Sequence, residues 1–152
     1  MKEEQQMTLQ KNILLIIFMV GLTLSVFSND VWGENLIEYD RNKEGTVRYY
    51  DVDSVKKSSG KVKVWEKKMW GDKLRDKVIT AMKKDNQCQD CERLSYTKTL
   101  YEIRCSGDLY HHITVIDYDT DERVLYRSPK PSEWSHIPPG TIIEDLKKRV
   151  CK

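Results

Sequence analysis

The stretch LSYTKTLYEIRCSGDLYHHITVIDYD, residues 94–119, contains two long runs of strand-forming residues joined by the short turn Ser-Gly-Asp. In the first run Tyr101, Ile103 and Cys105 alternate with other residues, so a strand would place these three side chains on one face. A connection of this length is typical of an antiparallel hairpin. The stretch therefore predicts the centre of an antiparallel sheet.

Further strands are predicted on both sides of this hairpin. They are short runs rich in Val, Tyr and Ile, bounded by polar turns, and they occupy residues 36–39, 46–52, 61–70 and 123–127. Between the 61–70 run and the hairpin, Leu74, Val78 and Met82 recur every four residues, which indicates an amphipathic helix. The fold class predicted is α+β, with about six antiparallel strands.

A second helix is predicted at the C-terminus, where the sequence reads PPGTIIEDLKKRVC. Thr141 and Glu144 have the spacing of a capping box. An apolar stripe follows the helix through Ile142, Ile143, Leu146 and Val150. Four cysteines allow three pairings, and the setting of Cys105 and Cys151 favours a bridge between these two. Such a bridge would close a loop of about 45 residues and hold the helix on the sheet with about 3–4 kcal/mol.

The motif CQDC, formed by Cys88 and Cys91, is the sharpest chemical candidate in the chain. A structural disulfide, within the motif or between two chains, is favoured by the even cysteine count in a short chain, provided that the domain is exported to an oxidising compartment. A redox-active pair is disfavoured because the neighbouring acidic side chains oppose thiolate formation. A metal site would need two further ligands, and no histidine stands at a zinc-like spacing. A free thiol is the remaining interpretation.

Residues 1–33 are predicted to be a secretory signal peptide. An apolar run begins at Ile13, and small residues follow it at two cleavage points, after Ser28 or after Gly33. An uncleaved membrane anchor is the alternative, but the run is short for a span. Removal of the leader leaves residues 34–152 as one exported domain without a membrane span, periplasmic, secreted or at the cell surface.

The charge of the mature domain argues against a nucleic-acid partner. The first 33 residues hold two basic and three acidic residues, which leaves 24 basic and 21 acidic residues of the 26 and 24 in the whole chain. This small excess predicts a mixed, solvated surface rather than the basic field of a nucleic-acid binder.

The other polar and aromatic candidates are interpreted as structural. His111 and His112 are adjacent on a strand, so they point to opposite faces and cannot together ligate one ion. The acidic run DYDTDE, residues 117–122, lacks the glycine and the distal glutamate of a calcium loop and predicts a solvated hairpin turn. The tryptophans are assigned to the core and its rim: Trp65, Trp70 and Trp134. Because no nucleophile elbow, phosphate loop or acid pair is present, no enzyme activity, cofactor or metal is predicted.

The order of several short segments resembles the surface-adhesin protein E family of exported bacterial proteins. The segments are YYD (49–51), SV (54–55), VKVW (62–65), YEIRC (101–105), YD (118–119), PSEWSHIPPG (131–140) and VC (150–151). The resemblance extends over residues 36–152. It implies a curved antiparallel sheet with a C-terminal helix against its concave side, tethered by a disulfide at Cys105 and Cys151.

The resemblance also implies a function. The family takes its name from adhesins that bind host matrix proteins and can dimerise. The expected function is therefore an exported, non-enzymatic binding or structural module, adhesive towards a protein ligand of the envelope or matrix and able to form a homodimer. The alternative is a periplasmic thiol–disulfide or metal-handling protein that uses Cys88 and Cys91.

Overall fold

The computed structural model describes residues 34–152, and the predicted signal peptide lies outside the described residues. The described chain contains eight strands: β1 (Leu36–Arg41), β2 (Val47–Asp51), β3 (Lys56–Ser58), β4 (Lys61–Met69), β5 (Leu94–Arg104), β6 (Leu109–Asp119), β7 (Val124–Arg127) and β8 (Ser135–His136). It also contains two α-helices, α1 (Asp72–Lys84) and α2 (Ile142–Val150). Short 3-10 helices occupy Val52–Ser54 and Cys91–Arg93.

The strands form one antiparallel sheet in the order β1-β2-β4-β5-β6-β7. These six strands confirm the α+β prediction. The two short strands were not predicted: β3 pairs with the beginning of β4, and β8 pairs with the beginning of β6. Neither has an alternating apolar pattern, so sequence gives no signal for them. They pair because β4 and β6 extend beyond β2 and β7, which leaves backbone groups of the longer strands without another partner.

The two faces of the sheet have different roles. Val62 pairs with Ile103 and Val64 pairs with Tyr101, so these apolar side chains lie on one face of β4 and β5. Both helices pack on this side, which we call the covered face. Lys61, Lys63, Trp65 and Lys67 of β4 lie on the opposite side, called the open face, on which the structure describes no helix for residues 34–152.

Two apolar clusters fill the space under the helices. Beneath α2, the buried members are Tyr39, Val62, Val64, Ile103, Ile137, Leu146 and Val150. Beneath α1, they are Met82, Cys91 and Leu94, with Trp70 and Tyr126 packed against them. Each amphipathic helix therefore covers its own part of the same sheet face, as expected for an α+β domain.

The entry of α2 differs in detail from the predicted capping box. The Thr141 hydroxyl donates to the Pro138 carbonyl oxygen at 2.7 Å instead of accepting a helical N–H. The Glu144 carboxylate accepts from the backbone N–H of Gly140 at 2.8 Å. The carboxylate still reaches back over the helix start, but its contact lies one residue earlier because the chain turns through Gly140 at a φ of 75°.

Candidate functional site

The C-terminal disulfide joins the end of the central strand to the end of the last helix. Cys105 follows β5 directly and Cys151 caps α2, and their Cα atoms are 5.6 Å apart. Ile103 precedes Cys105 by two residues, and Val150 directly precedes Cys151. Both are buried in the same apolar cluster. This disulfide confirms the predicted tether between the helix and the sheet.

The CQDC motif contains a disulfide of its own. Cys88 and Cys91 have Cα atoms 5.5 Å apart, and they lie between the end of α1 and the 3-10 helix that precedes β5. Cys91 is fully buried against Met82 and Leu94. The motif therefore connects the loop after α1 to the second apolar cluster, and its position is that of a structural cross-link.

A cavity of about 550 Å³ opens beside this motif. Its lining is mainly the loop after α1 and the edge strand: Asn86, Gln87, Cys88, Gln89, Asp90, Val124 and Leu125. Within residues 34–152 no group of three or more His, Cys, Asp or Glu side chains is placed to hold a metal ion. The buried Cys91 and its acidic surroundings do not favour the thiol–disulfide or metal-handling interpretation.

The adjacent histidines lie on opposite faces, as predicted. On the covered face, His112 pairs with Tyr101, and burial lowers the pKa of its imidazole. On the open face, His111 lies with Nε2 3.0 Å from the Glu102 carboxylate and Nδ1 3.3 Å from the Ser132 carbonyl oxygen. The Trp134 ring packs against the His111 ring, with centroids 4.1 Å apart and ring planes inclined by 33°. These contacts fix the loop before β8 to the open face.

The acidic run at residues 117–122 contains the end of β6 and most of the turn that leads to β7. It was predicted as a solvated turn, but Asp119 is only 3% exposed. Its carboxylate accepts from the backbone N–H groups of Asp121 and Arg123, both at 2.8 Å, and Arg93 lies 3.3 Å away. Asp119 thus organises the hairpin by satisfying its own backbone donors.

A polar cluster on the covered face was not predicted from the sequence. Glu66 is 2% exposed, lies 3.0 Å from Arg48 Nη1 and accepts a hydrogen bond from the Tyr39 hydroxyl. Asp40 lies 3.6 Å from the same arginine. Burial and the neighbouring carboxylate raise the pKa of Tyr39, so its hydroxyl remains a donor. Each charge of this cluster lies beside an opposite charge, while the buried Nε of Arg48 has no hydrogen-bond acceptor among the described residues.

Lys68 and Asp117 extend this cluster towards α1. The Lys68 ammonium lies 3.8 Å from the centroid of the Trp70 ring, and burial lowers its pKa to about 8. Burial raises the pKa of Asp117, which accepts from the Thr97 hydroxyl at 2.5 Å. Trp70 Nε1 donates to Thr97 Oγ1 at 2.9 Å. Trp70 is therefore a core residue, as predicted.

The open face concentrates positive charge. Its cations on the two central strands are Lys61, Lys63, Lys67, Lys98 and Arg104, against the single carboxylate of Glu102. Its aromatic groups include Trp65, Tyr96, Tyr118 and Trp134. The chain-wide charge balance conceals this excess of cations on the open face of β4 and β5. The sequence feature that could have indicated this basic face is the alternation in KVKVWEKK, where the first and third residues are lysine.

The aromatic rings of the open face are paired with cations. Trp134 lies under both Lys61 and Arg104, with each charged group 5.2 Å from the ring centroid. Farther along the strands, Lys67 lies 4.5 Å from the centroid of Tyr96, which stacks on Tyr118 at 4.9 Å. Trp134 and Trp65 therefore belong to this surface rather than to the core.

The comparison with known families agrees with the resemblance predicted from the sequence segments. The family described as surface-adhesin protein E matches residues 36–152. No curated protein and no solved structure matches the chain. In the part of the chain that the structure describes, no helix has the length and apolar character needed to cross a membrane.

Proposed function

This chain belongs to the surface-adhesin protein E family, and from that premise we propose that it is an exported, non-enzymatic module that binds a protein ligand through its open face. The observation that carries the proposal is the segregation of charge on β4 and β5. One face of these strands builds the core, and the other presents five cations, with Glu102 among them and Glu34 beside Lys67 and Lys98.

The open face includes aromatic side chains and an arginine, which are common at protein-binding surfaces. Tryptophan, tyrosine and arginine are the residue types that dominate binding energy at protein interfaces. Trp134 is 36% exposed and has two cations over its ring, so a partner that covers it would remove both apolar and charged groups from water. The face lies on the rigid centre of the sheet, which limits the entropy lost on binding.

Export is part of the proposal. The apolar run that begins at Ile13 supports a cleaved leader, and the two disulfides suit an oxidising compartment. N-terminal sequencing of the protein from its native host should start at Asn29 or Glu34. Recovery of residues 7–28 on a membrane-bound protein would contradict this part of the proposal.

A pair of matched variants tests the role of the open face. Lys61→Glu/Lys63→Glu reverses two charges on it, and Lys77→Glu/Lys84→Glu makes the same change on exposed positions of α1, over the other face. The immobilised wild-type domain is exposed to envelope and matrix proteins, and we expect it to capture a ligand. The open-face variant should capture this ligand poorly, and the α1 variant should capture as much of it as the wild type. Equal capture by both variants would refute the open face as the binding site.

Homodimer formation is a further part of the proposal, supported by the edge strands β1 and β7, each of which pairs with one strand only. Analytical ultracentrifugation of residues 34–152 at high micromolar concentration should give the mass of a dimer. A monomer mass would rule the dimer out and would leave the binding proposal in place.

A further inference from the structure

We infer that the partner presents an acidic surface of a folded protein, and that its contact with this chain is centred on Trp134. The inference rests on the proposed function, because it names the chemistry of the ligand for the same open face. It is carried by three features: the cations around Trp134, the carboxylates placed among the cations, and the lack of free backbone groups on the face.

The corner around Trp134 is built as a contact centre. Lys61 and Arg104 are paired across β4 and β5, and each lies 5.2 Å from the Trp134 ring. His111 packs against the same ring and is held by Glu102. The indole is thus fixed in position while a third of its surface remains exposed. A fixed, partly exposed aromatic ring among cations matches the residues that carry binding energy when an acidic surface approaches.

The carboxylates on this face distinguish an acidic protein from a densely charged polyanion. Glu102 lies 3.8 Å from Lys61 and 4.0 Å from Lys63, and its hydrogen bond with His111 lowers its pKa and keeps it ionised. Glu34 pairs with Lys67 at 3.1 Å and with Lys98. Each carboxylate lies between two cations. A continuous row of sulfates on a polyanion would therefore be repelled by these carboxylates. A protein surface with mixed charges can complement such a mosaic.

The backbone of the open face favours a folded partner over an extended peptide. The N–H and C=O groups of β4 and β5 are used in pairing with neighbouring strands on both sides. An extended peptide lying across this face would find few acceptors for its own N–H groups, since the side chains here are mostly donors. A folded protein has already satisfied its backbone and can contribute acidic side chains alone.

Three probes test the charge and the class of the partner: a negatively supercharged green fluorescent protein, a positively supercharged version of the same protein, and dextran sulfate. We expect residues 34–152 to bind the negative protein, with affinity that falls as salt rises. Lys61→Glu/Lys63→Glu should weaken this binding at least about tenfold, and Trp134→Ala should weaken it by about the same factor. Lys77→Glu/Lys84→Glu serves as the matched control and should leave it unchanged.

The outcomes separate this inference from the proposed function. The inference would be overturned in favour of a sulfated polysaccharide by one combination of results. Dextran sulfate would bind more tightly than the negative protein, and its binding would be weakened as much by Lys61→Glu/Lys63→Glu. Binding of the positive protein, or of none of the probes, would also overturn it. If ligand capture from envelope and matrix proteins still depends on the open face in either case, the proposed function stands. If capture is indifferent to the open face, the proposed function fails.

Discussion

Lys61 and Arg104, directly paired across β4 and β5, hold their cationic groups at the same distance, 5.2 Å, from the centroid of one Trp134 ring. Trp134 reaches them from the loop before β8, far along the chain. Two like charges are thus gathered around one aromatic ring on the open face. The arrangement brings the two cations together at the surface without burying them.

Replacement of Trp134 with alanine should therefore change stability little. The ring is partly exposed and lies outside both apolar clusters, so we expect the free energy of unfolding to fall by about 1 kcal/mol or less. Leu146→Ala is the contrasting variant, because Leu146 is fully buried, and it should cost about 2–5 kcal/mol. Urea unfolding measures both. A loss as large for Trp134 as for Leu146 would make the ring a core residue.

The two disulfides should differ strongly in their effect on stability. The Cys105–Cys151 bridge spans a sequence separation of 46, and the Cys88–Cys91 bridge spans 3. Because a longer closed loop restricts the unfolded chain more, replacing Cys105 and Cys151 with serine should cost about 2–5 kcal/mol in urea unfolding. The same change at Cys88 and Cys91 should cost much less. Non-reducing peptide mapping that links Cys105 to the CQDC motif would overturn both expectations.

Gly71 should not tolerate a side chain. It precedes α1, and a Cβ atom there would overlap the backbone carbonyl oxygen of Glu44. Backbone cannot yield as a flexible side chain does, so Gly71→Ala should cost about 1–3 kcal/mol in thermal or urea unfolding. Gly107→Ala is the control, since its Cβ would meet the flexible Arg104 side chain at 3.1 Å. Similar stability of the two variants would contradict the close approach at Gly71.

The buried pair of Arg48 and Glu66 should be more costly to break than to remove. Glu66→Leu leaves the Arg48 guanidinium and the Tyr39 hydroxyl without their buried carboxylate, and it should cost about 2–4 kcal/mol. Arg48→Met combined with Glu66→Leu should recover most of that loss, because no fully buried charge is then left unpaired and Asp40, which also loses Arg48, is partly exposed to water. A double variant that is less stable than Glu66→Leu alone would show that the pair itself stabilises the fold.

Lys68 should make stability depend on pH in the alkaline range. Its folded pKa, lowered to about 8 from 10.5 mainly by burial, means that the unfolded chain binds the proton more tightly. The Lys68 contribution therefore raises stability as pH increases from about 8 to about 10.5. Lys68→Met should be more stable than wild type at pH 7 by about 1–3 kcal/mol, and the difference should shrink towards pH 10.5. Parallel unfolding curves at all pH values would contradict the lowered pKa.

The sequence by itself determined the elements and their main tether. Alternation in residues 94–119 predicted β5 and β6, and a four-residue period predicted α1, because these patterns depend only on local backbone geometry. The Cys105–Cys151 bridge was also predicted, since both residues end an element that carries an apolar face. The family followed from the same segments.

Only the tertiary structure decided which polar residues meet. Trp134 was assigned to the core or its rim, and it became part of the open face because β8 pairs with the start of β6 and carries the loop there. The partners of Glu66 on the covered face come from β1 and β2, at sequence separations of 27 and 18. Such contacts have no local pattern, because strand register and helix placement, rather than sequence neighbours, bring the side chains together.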